Sequence, residues 1–175
     1  MSYRLVLTVL GDDRPGLVGE LASVISAHHG NWLQSSMAQL AGKFAGIVEV
    51  SVSGDHLDGL TQALSKLTTL KVTVESTEVR KSALARRRLK LSLVGHDRIG
   101  IVREVSQVLA RFSVNVENLS TRTASAPMSA ELLFHAEAEL TADKALDVGT
   151  LIAELERISA DLMVDIALDE SIRRH

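Results

Sequence analysis

The sequence of 175 residues contains no cysteine. That excludes disulfides and thiolate chemistry, and it fits a reducing compartment. Aromatic residues make up only 3% of the chain, so any core must be assembled from Leu, Val, Ile and Ala, for which a hydrophobic content of 46% is ample. Charge of neither sign dominates. A net charge of -3 gives no reason to expect direct nucleic-acid binding by bulk electrostatics. No apolar run approaches the ~18 residues needed to span a bilayer. The leading segment Tyr3-Arg4-Leu5-Val6-Leu7-Thr8-Val9-Leu10 has no signal-peptide pattern. A soluble cytoplasmic protein with no membrane partner is the expectation. Nucleophile elbows, phosphate-binding glycine loops and zinc signatures are also missing.

What the chain does have is a repeat. Leu7-Thr8-Val9-Leu10-Gly11-Asp12-Asp13-Arg14-Pro15-Gly16-Leu17-Val18 returns 84 residues later as Leu91-Ser92-Leu93-Val94-Gly95-His96-Asp97-Arg98-Ile99-Gly100-Ile101-Val102. Each copy is an apolar run, a Gly-x-Asp-Arg-x-Gly turn and a second apolar run. The duplication predicts two similar domains of roughly 80 residues each. Domains that small bury a modest fraction of their surface and often need to pack against one another or a second chain. A homo-oligomer is therefore expected.

The periodicity predicts one element order, read twice. Residues 3–10 form a buried strand ending at Gly11. Pro15 suits the first turn of a helix, and Leu17, Val18, Leu21, Val24 and Ile25 make one apolar helical face up to about His29, with Gly30 placed to end it. Residues 31–41 and 44–53 read as strands joined by the hairpin signal Ala41-Gly42-Lys43. Leu57, Leu60, Leu64 and Leu67 mark a second helix, and Val72, Val74 and Val79 a fourth strand.

In the second half, strands are expected over 88–95, 114–124, 129–138 and 162–168, with helices over 99–112 and through Val148, Leu151, Ile152, Leu155 and Ile158. This β-α-β-β-α-β order predicts the α+β, ferredoxin-like arrangement, a four-stranded antiparallel sheet with both helices on one face. The other sheet face must then be covered or left as an apolar patch. The expected organisation is a first domain over 1–79, a basic linker over 80–87, a second domain over 88–170 and a tail over 171–175. The linker reads as a solvated connection; its sharper reading is a basic contact strip for an acidic partner surface or nucleic acid.

The duplicated turn is the candidate site. A helix start presents unpaired N–H groups and partial positive charge, where a carboxylate or phosphate can bind. Gly16 and Gly100 allow a ligand close to the backbone. Asp13 and Asp97 can accept hydrogen bonds from a ligand ammonium, so the pair of features suits a zwitterionic amino acid. The plainer alternative is that these aspartates are helix N-caps and the glycines serve tight turns. Asn31 and Asn115 follow the first helix of each copy and offer an amide donor and acceptor, or simply shape a turn. Arg14 and Arg98 can bind anions or stand solvated. Glu49 and Glu131 lie near strands with no acid/base partner evident.

A β-α-β-β-α-β unit carrying Asp13-Arg14-Pro15-Gly16-Leu17-Val18 after its first strand, with Asn31 opening its second, resembles the ACT domain. Two such units filling residues 3–169 resemble the glycine cleavage system transcriptional repressor family. ACT domains commonly bind amino acids at the interface between two units near the strand-to-helix turn. The resemblance therefore implies ligand contacts from Asp12, Asp13, Gly16, Leu17 and Asn31 in the first copy, and from His96, Asp97, Gly100, Ile101 and Asn115 in the second. It also implies a non-enzymatic repressor with no cofactor and no metal. Such a protein acts through a DNA-binding transcription activator and responds to glycine or a similar amino acid. The copies differ where Pro15 is matched by Ile99 and Asp12 by His96, which makes the first turn the better expected site. An alternative is an interaction module that dimerises without sensing a ligand. An enzyme is a third reading, for which no catalytic set is evident.

Overall fold

In a computed structural model of the chain, residues 1–77, 86–127 and 131–168 are described. The tail 171–175, Val79 and residues 80–85 of the expected linker lie outside them. The chain divides into two compact units, Met1–Lys81 and Ser82–His175. The first holds β1 (Ser2–Asp12), α1 (Leu17–Ala27), β2 (Asn31–Leu40), β3 (Lys43–Ser53), α2 (Gly54–Ser65) and β4 (Lys71–Thr77). The second holds β5 (Arg86–His96), α3 (Ile101–Arg111), β6 (Asn115–Ser125), β7 (Leu132–Asp143), α4 (Val148–Glu156) and β8 (Met163–Leu168). Each unit has one antiparallel sheet, in the orders β2-β3-β1-β4 and β6-β7-β5-β8. This is the ferredoxin-like arrangement, in tandem.

The alternation along the central strands explains the layering. In β1, Leu5, Leu7 and Val9 are buried and the intervening residues face the other way. They join Val48, Val50 and Val52 of β3, Leu17, Leu21 and Ile25 of α1, and Leu60 and Leu64 of α2 in one cluster. Both helices therefore lie on the same face of the sheet. The second unit repeats this with Leu89, Leu91, Val108, Leu109, Leu140, Leu151 and Leu155. Trp32 and Met37 of β2 pack partly buried against the first core. At the corresponding positions of β6 stand the smaller Val116 and Thr121. A narrow apolar crevice of about 30 Å³, bordered by Val102, Val105, Val116, Leu119 and Thr121, opens there between α3 and β6.

The face turned away from the helices is mixed, with Val6, Leu10 and Ile47 in the first sheet and Val94 and Met163 in the second standing among polar residues. Thr8, Glu49, Thr73 and Glu75 lie on it in the first sheet. Ser92, Ser120, Glu137 and Asp165 lie on it in the second, lining an open concavity of about 510 Å³. Two strand boundaries also depart from expectation. β5 begins at Arg86, where Arg86 pairs with Asp143 and Arg87 with Ala142, so two of the expected linker residues belong to the sheet. β7 runs to Asp143 because Leu140 and Ala142 continue the buried face beyond 138.

The β2–β3 connection is a two-residue hairpin with both residues left-handed, Ala41 at φ 50° and Gly42 at φ 76°. This is the conformation of a type I′ turn, which asparagine-glycine supports because the asparagine side chain hydrogen-bonds locally and offsets the crowding of its β-carbon, as alanine cannot. Ala41→Asn is expected to raise stability by about 0.5–1 kcal/mol, seen as a higher thermal midpoint. An unchanged or lower midpoint would contradict the assigned turn.

Candidate functional site

Each duplicated turn leaves the sheet at the end of its central strand. The Asp13 N–H donates to the Gly42 carbonyl at 2.9 Å, and the Asp97 N–H donates to the Leu132 carbonyl at 2.9 Å. The turns are thus pinned by their backbones to the hairpin beside them. Gly16 (φ 95°) and Gly100 (φ 91°) then stand at the N-cap positions of α1 and α3 in the left-handed region. No side chain caps either helix. The capping alternative for Asp13 and Asp97 is therefore not what the structure shows. Both carboxylates are exposed and neither makes a side-chain hydrogen bond among the described residues. The contrast lies in α4, where the Asp147 carboxylate accepts from the Gly149 N–H at 3.0 Å and the Thr150 N–H at 3.4 Å.

The arginines are engaged. Arg14 donates to Glu20 at 2.6 Å and Arg98 to Glu104 at 2.6 Å, the same pair in both copies. The arginine hydrogen bond holds each glutamate below the ordinary carboxylate range. Glu20 also accepts from the Thr69 hydroxyl at 2.8 Å. These pairs tie the turn to the first helical turn and leave the aspartates as the unpaired charges beside the helix starts. The six-residue separation of arginine and glutamate matches no helical spacing, so periodicity gave no signal for it.

Leu17 and Ile101 are 2% and 4% exposed. Their side chains belong to the cores; the Leu17 backbone N–H faces the turn, whereas the Ile101 N–H donates to the Arg98 carbonyl at 3.4 Å. Asn31 and Asn115 are exposed at the starts of β2 and β6, each followed at once by a register shift. They do not meet their own turns. Asn31 pairs with Ser51, level with Arg4, whereas the turn begins after Asp12. Eight residues along a strand separate the two by about 26 Å.

The copies differ just before the turn. Asp12 pairs with Lys43, whose ammonium hydrogen bond lowers the carboxyl below its usual range. In the second copy His96 pairs with Glu131 at 3.0 Å and Asp161 at 2.8 Å. Sequence reasoning placed Lys43 only in a hairpin and did not name Asp161; chain folding brings both from distant elements. Among the described residues no group of three His, Asp or Glu side chains could hold a metal ion. His28 and His29 point apart: the first contacts the Val24 carbonyl at 3.0 Å, and the second stacks on His56 with ring centroids 4.3 Å apart. Among the described residues no helix is long and apolar enough to cross a membrane.

Residues 3–77 match the ACT domain family model. The chain carries an ACT domain. The second unit repeats its topology, so the whole is a tandem ACT fold. A solved structure of an unknown protein from Galdieria sulphuraria is 26% identical, with a TM-score of 0.81 over 97% of this chain and 99% of that one. A protein provisionally assigned as a glycine cleavage system transcriptional repressor is 19% identical, with a TM-score of 0.72 over 97% of this chain and 98% of that one. No curated protein matches the chain. These likenesses extend the fold across both units, including the part beyond residue 77.

Proposed function

We propose that this tandem ACT protein is a non-enzymatic regulator that responds to a small amino acid, glycine or a near relative, at its β1–α1 and β5–α3 turns. The observation that carries the reading is the pair of uncapped helix starts, each behind a left-handed glycine and beside an unpaired aspartate. The ligand carboxylate meets helix N–H groups and its ammonium meets Asp13 or Asp97. Asn31 and Asn115 stand too far from their own turns to contribute within one copy, so their part in such a site requires a second ACT unit. The exposed edge strands β2 and β6, with Leu33, Val116 and Leu119 on them, support a homo-oligomer.

The protein works in the cytoplasm as an indirect repressor of the glycine cleavage system, by contact with a DNA-binding transcription activator. What supports this finer reading is the tandem fold shared with the provisionally assigned repressor and a net charge unsuited to direct nucleic-acid binding. Ligand controls the contact only through a difference in affinity between the free and partner-bound states. Co-purification of the activator is expected to change when glycine is added, and equal capture in both conditions rejects the switch.

A thermal-shift panel of the twenty amino acids tests the site itself. A ligand present at a hundred times its Kd is expected to add about 2.7 kcal/mol. The shift should fall in Asp13→Asn, and a double Asp13→Asn, Asp97→Asn variant should show none. No shift with any amino acid would reject the ligand reading in favour of a ligand-independent interaction module.

A further inference from the structure

We propose that His96 is a proton-operated clasp on the second copy's turn, tying the end of β5 to the β6–β7 and α4–β8 connections through Glu131 and Asp161, a control the first copy lacks. The inference deepens the reading of the turns as ligand sites, since the turn it clasps is the second of them.

Both ring nitrogens of His96 face carboxylate oxygens. Nε2 lies 3.0 Å from Glu131 Oε2, and Nδ1 lies 2.8 Å from Asp161 Oδ2. A neutral imidazole has one N–H and one lone pair, so it can satisfy only one of these contacts. The imidazolium donates to Glu131 and sets its positive charge against the Asp161 carboxylate. The geometry therefore selects the charged ring. Asp161 is held in place to receive it. The His96 backbone N–H donates to Asp161 Oδ2 at 2.6 Å, and the Ser159 hydroxyl donates to the other carboxylate oxygen. The next residue, Leu162, is buried. Glu131 is fixed through its backbone, its carbonyl accepting from the Ala126 N–H at 2.9 Å. Beside it, the Leu132 carbonyl receives the Asp97 N–H. The two carboxylates thus bracket the turn from two separate connections.

The charged groups facing the ring are Glu131 from the β6–β7 connection and Asp161 from the α4–β8 connection. Asp97 follows it in the chain, and Arg98 interacts electrostatically with Asp161 while bound to Glu104. The carboxylates outweigh the arginine, so the Glu131 hydrogen bond first and the Asp161 hydrogen bond second push the imidazole above its ordinary value of 6.5. The sign follows. A group whose pKa is raised by folding contributes stability that is full below its unfolded value and is lost as pH rises through the folded one. In the first copy an Asp12–Lys43 ion pair holds the corresponding place, and no imidazole stands in it.

The test is a pH titration of the full chain by NMR, following the six histidine rings and the backbone amides of Asp13, Gly16, Asp97 and Gly100. His96→Gln identifies the ring. The His96 midpoint is expected to stand above 6.5 and to fall in both Glu131→Gln and Asp161→Asn. The Asp97 and Gly100 amides should move with that midpoint, while those of Asp13 and Gly16 should not. The thermal midpoint of the parent protein should exceed that of His96→Gln most at low pH, with the gap closing above neutrality. An ordinary midpoint unmoved by either carboxyl substitution overturns the proposal. So do Asp97 and Gly100 amides indifferent to His96 ionisation. None of these readouts needs a ligand, so the clasp and the ligand reading can fail separately.

Discussion

Leu7→Ala is expected to lower the stability of the first ACT domain by about 2–5 kcal/mol. Leu7 is fully buried in the central strand, with Val48 and Val74 opposite it on either side. It faces Leu21 of α1 and Leu60 of α2 in the same cluster. The backbone of a central strand, hydrogen-bonded on both edges, cannot collapse to fill the space left behind. The loss therefore includes a cavity term as well as transfer of the deleted groups. Net stabilities of whole domains are commonly only about 5–15 kcal/mol, and a domain of this size sits at the weak end. Denaturant unfolding would show the shifted midpoint. Thr8→Ala, one residue along on the opposite face, is the control and should stay within about 0.5 kcal/mol. A Leu7→Ala midpoint matching that of Thr8→Ala would mean the two faces of β1 are assigned the wrong way round.

Gly46→Ala is the second large effect, at about 1–3 kcal/mol. Gly46 lies in β3 directly opposite Met37 of β2. A β-carbon built there meets the Ser36 carbonyl oxygen, the Met37 Cα at 2.8 Å and the Met37 Cγ at 2.6 Å. Backbone cannot step aside as a side-chain tip can, so β2 must shift. The second copy shows how the fold accommodates an alanine in this place. There Ala136 pairs with Thr121, a smaller residue than Met37. The double variant Gly46→Ala, Met37→Thr should recover part of the loss, giving a favourable coupling in a double-mutant cycle. Additive costs would show that the backbone approach alone sets the penalty.

The fold was readable because its signals are local. The Val- and Leu-rich strands, the three- and four-residue spacing in the helices and the duplicated turn all lie within short windows. The boundaries that moved did so for reasons a window does not hold. Arg86 and Arg87 look like a charged linker until β7 supplies Asp143 and Ala142 opposite them. The site was legible only as an address. Gly-x-Asp-Arg-x-Gly located the helix starts but did not show whether Asp13 or Gly16 occupies the cap. That depends on φ at Gly16, which many turns would have allowed to differ. Asn31 looked like a neighbour of the turn because both flank α1, yet a helix carries the chain to the far end of the sheet. The partners of His96 lie 35 and 65 residues away and meet it only through strand order.

The chain has a single tryptophan, and Trp32 packs partly buried on the first core, next to Asn31. The second copy has Val116 at that place and is silent. Indole fluorescence is therefore a reporter native to the first domain alone. Calorimetry counts heat from every occupied site. A titration in which the emission saturates before the heat does would separate the two turns without a label or a substitution.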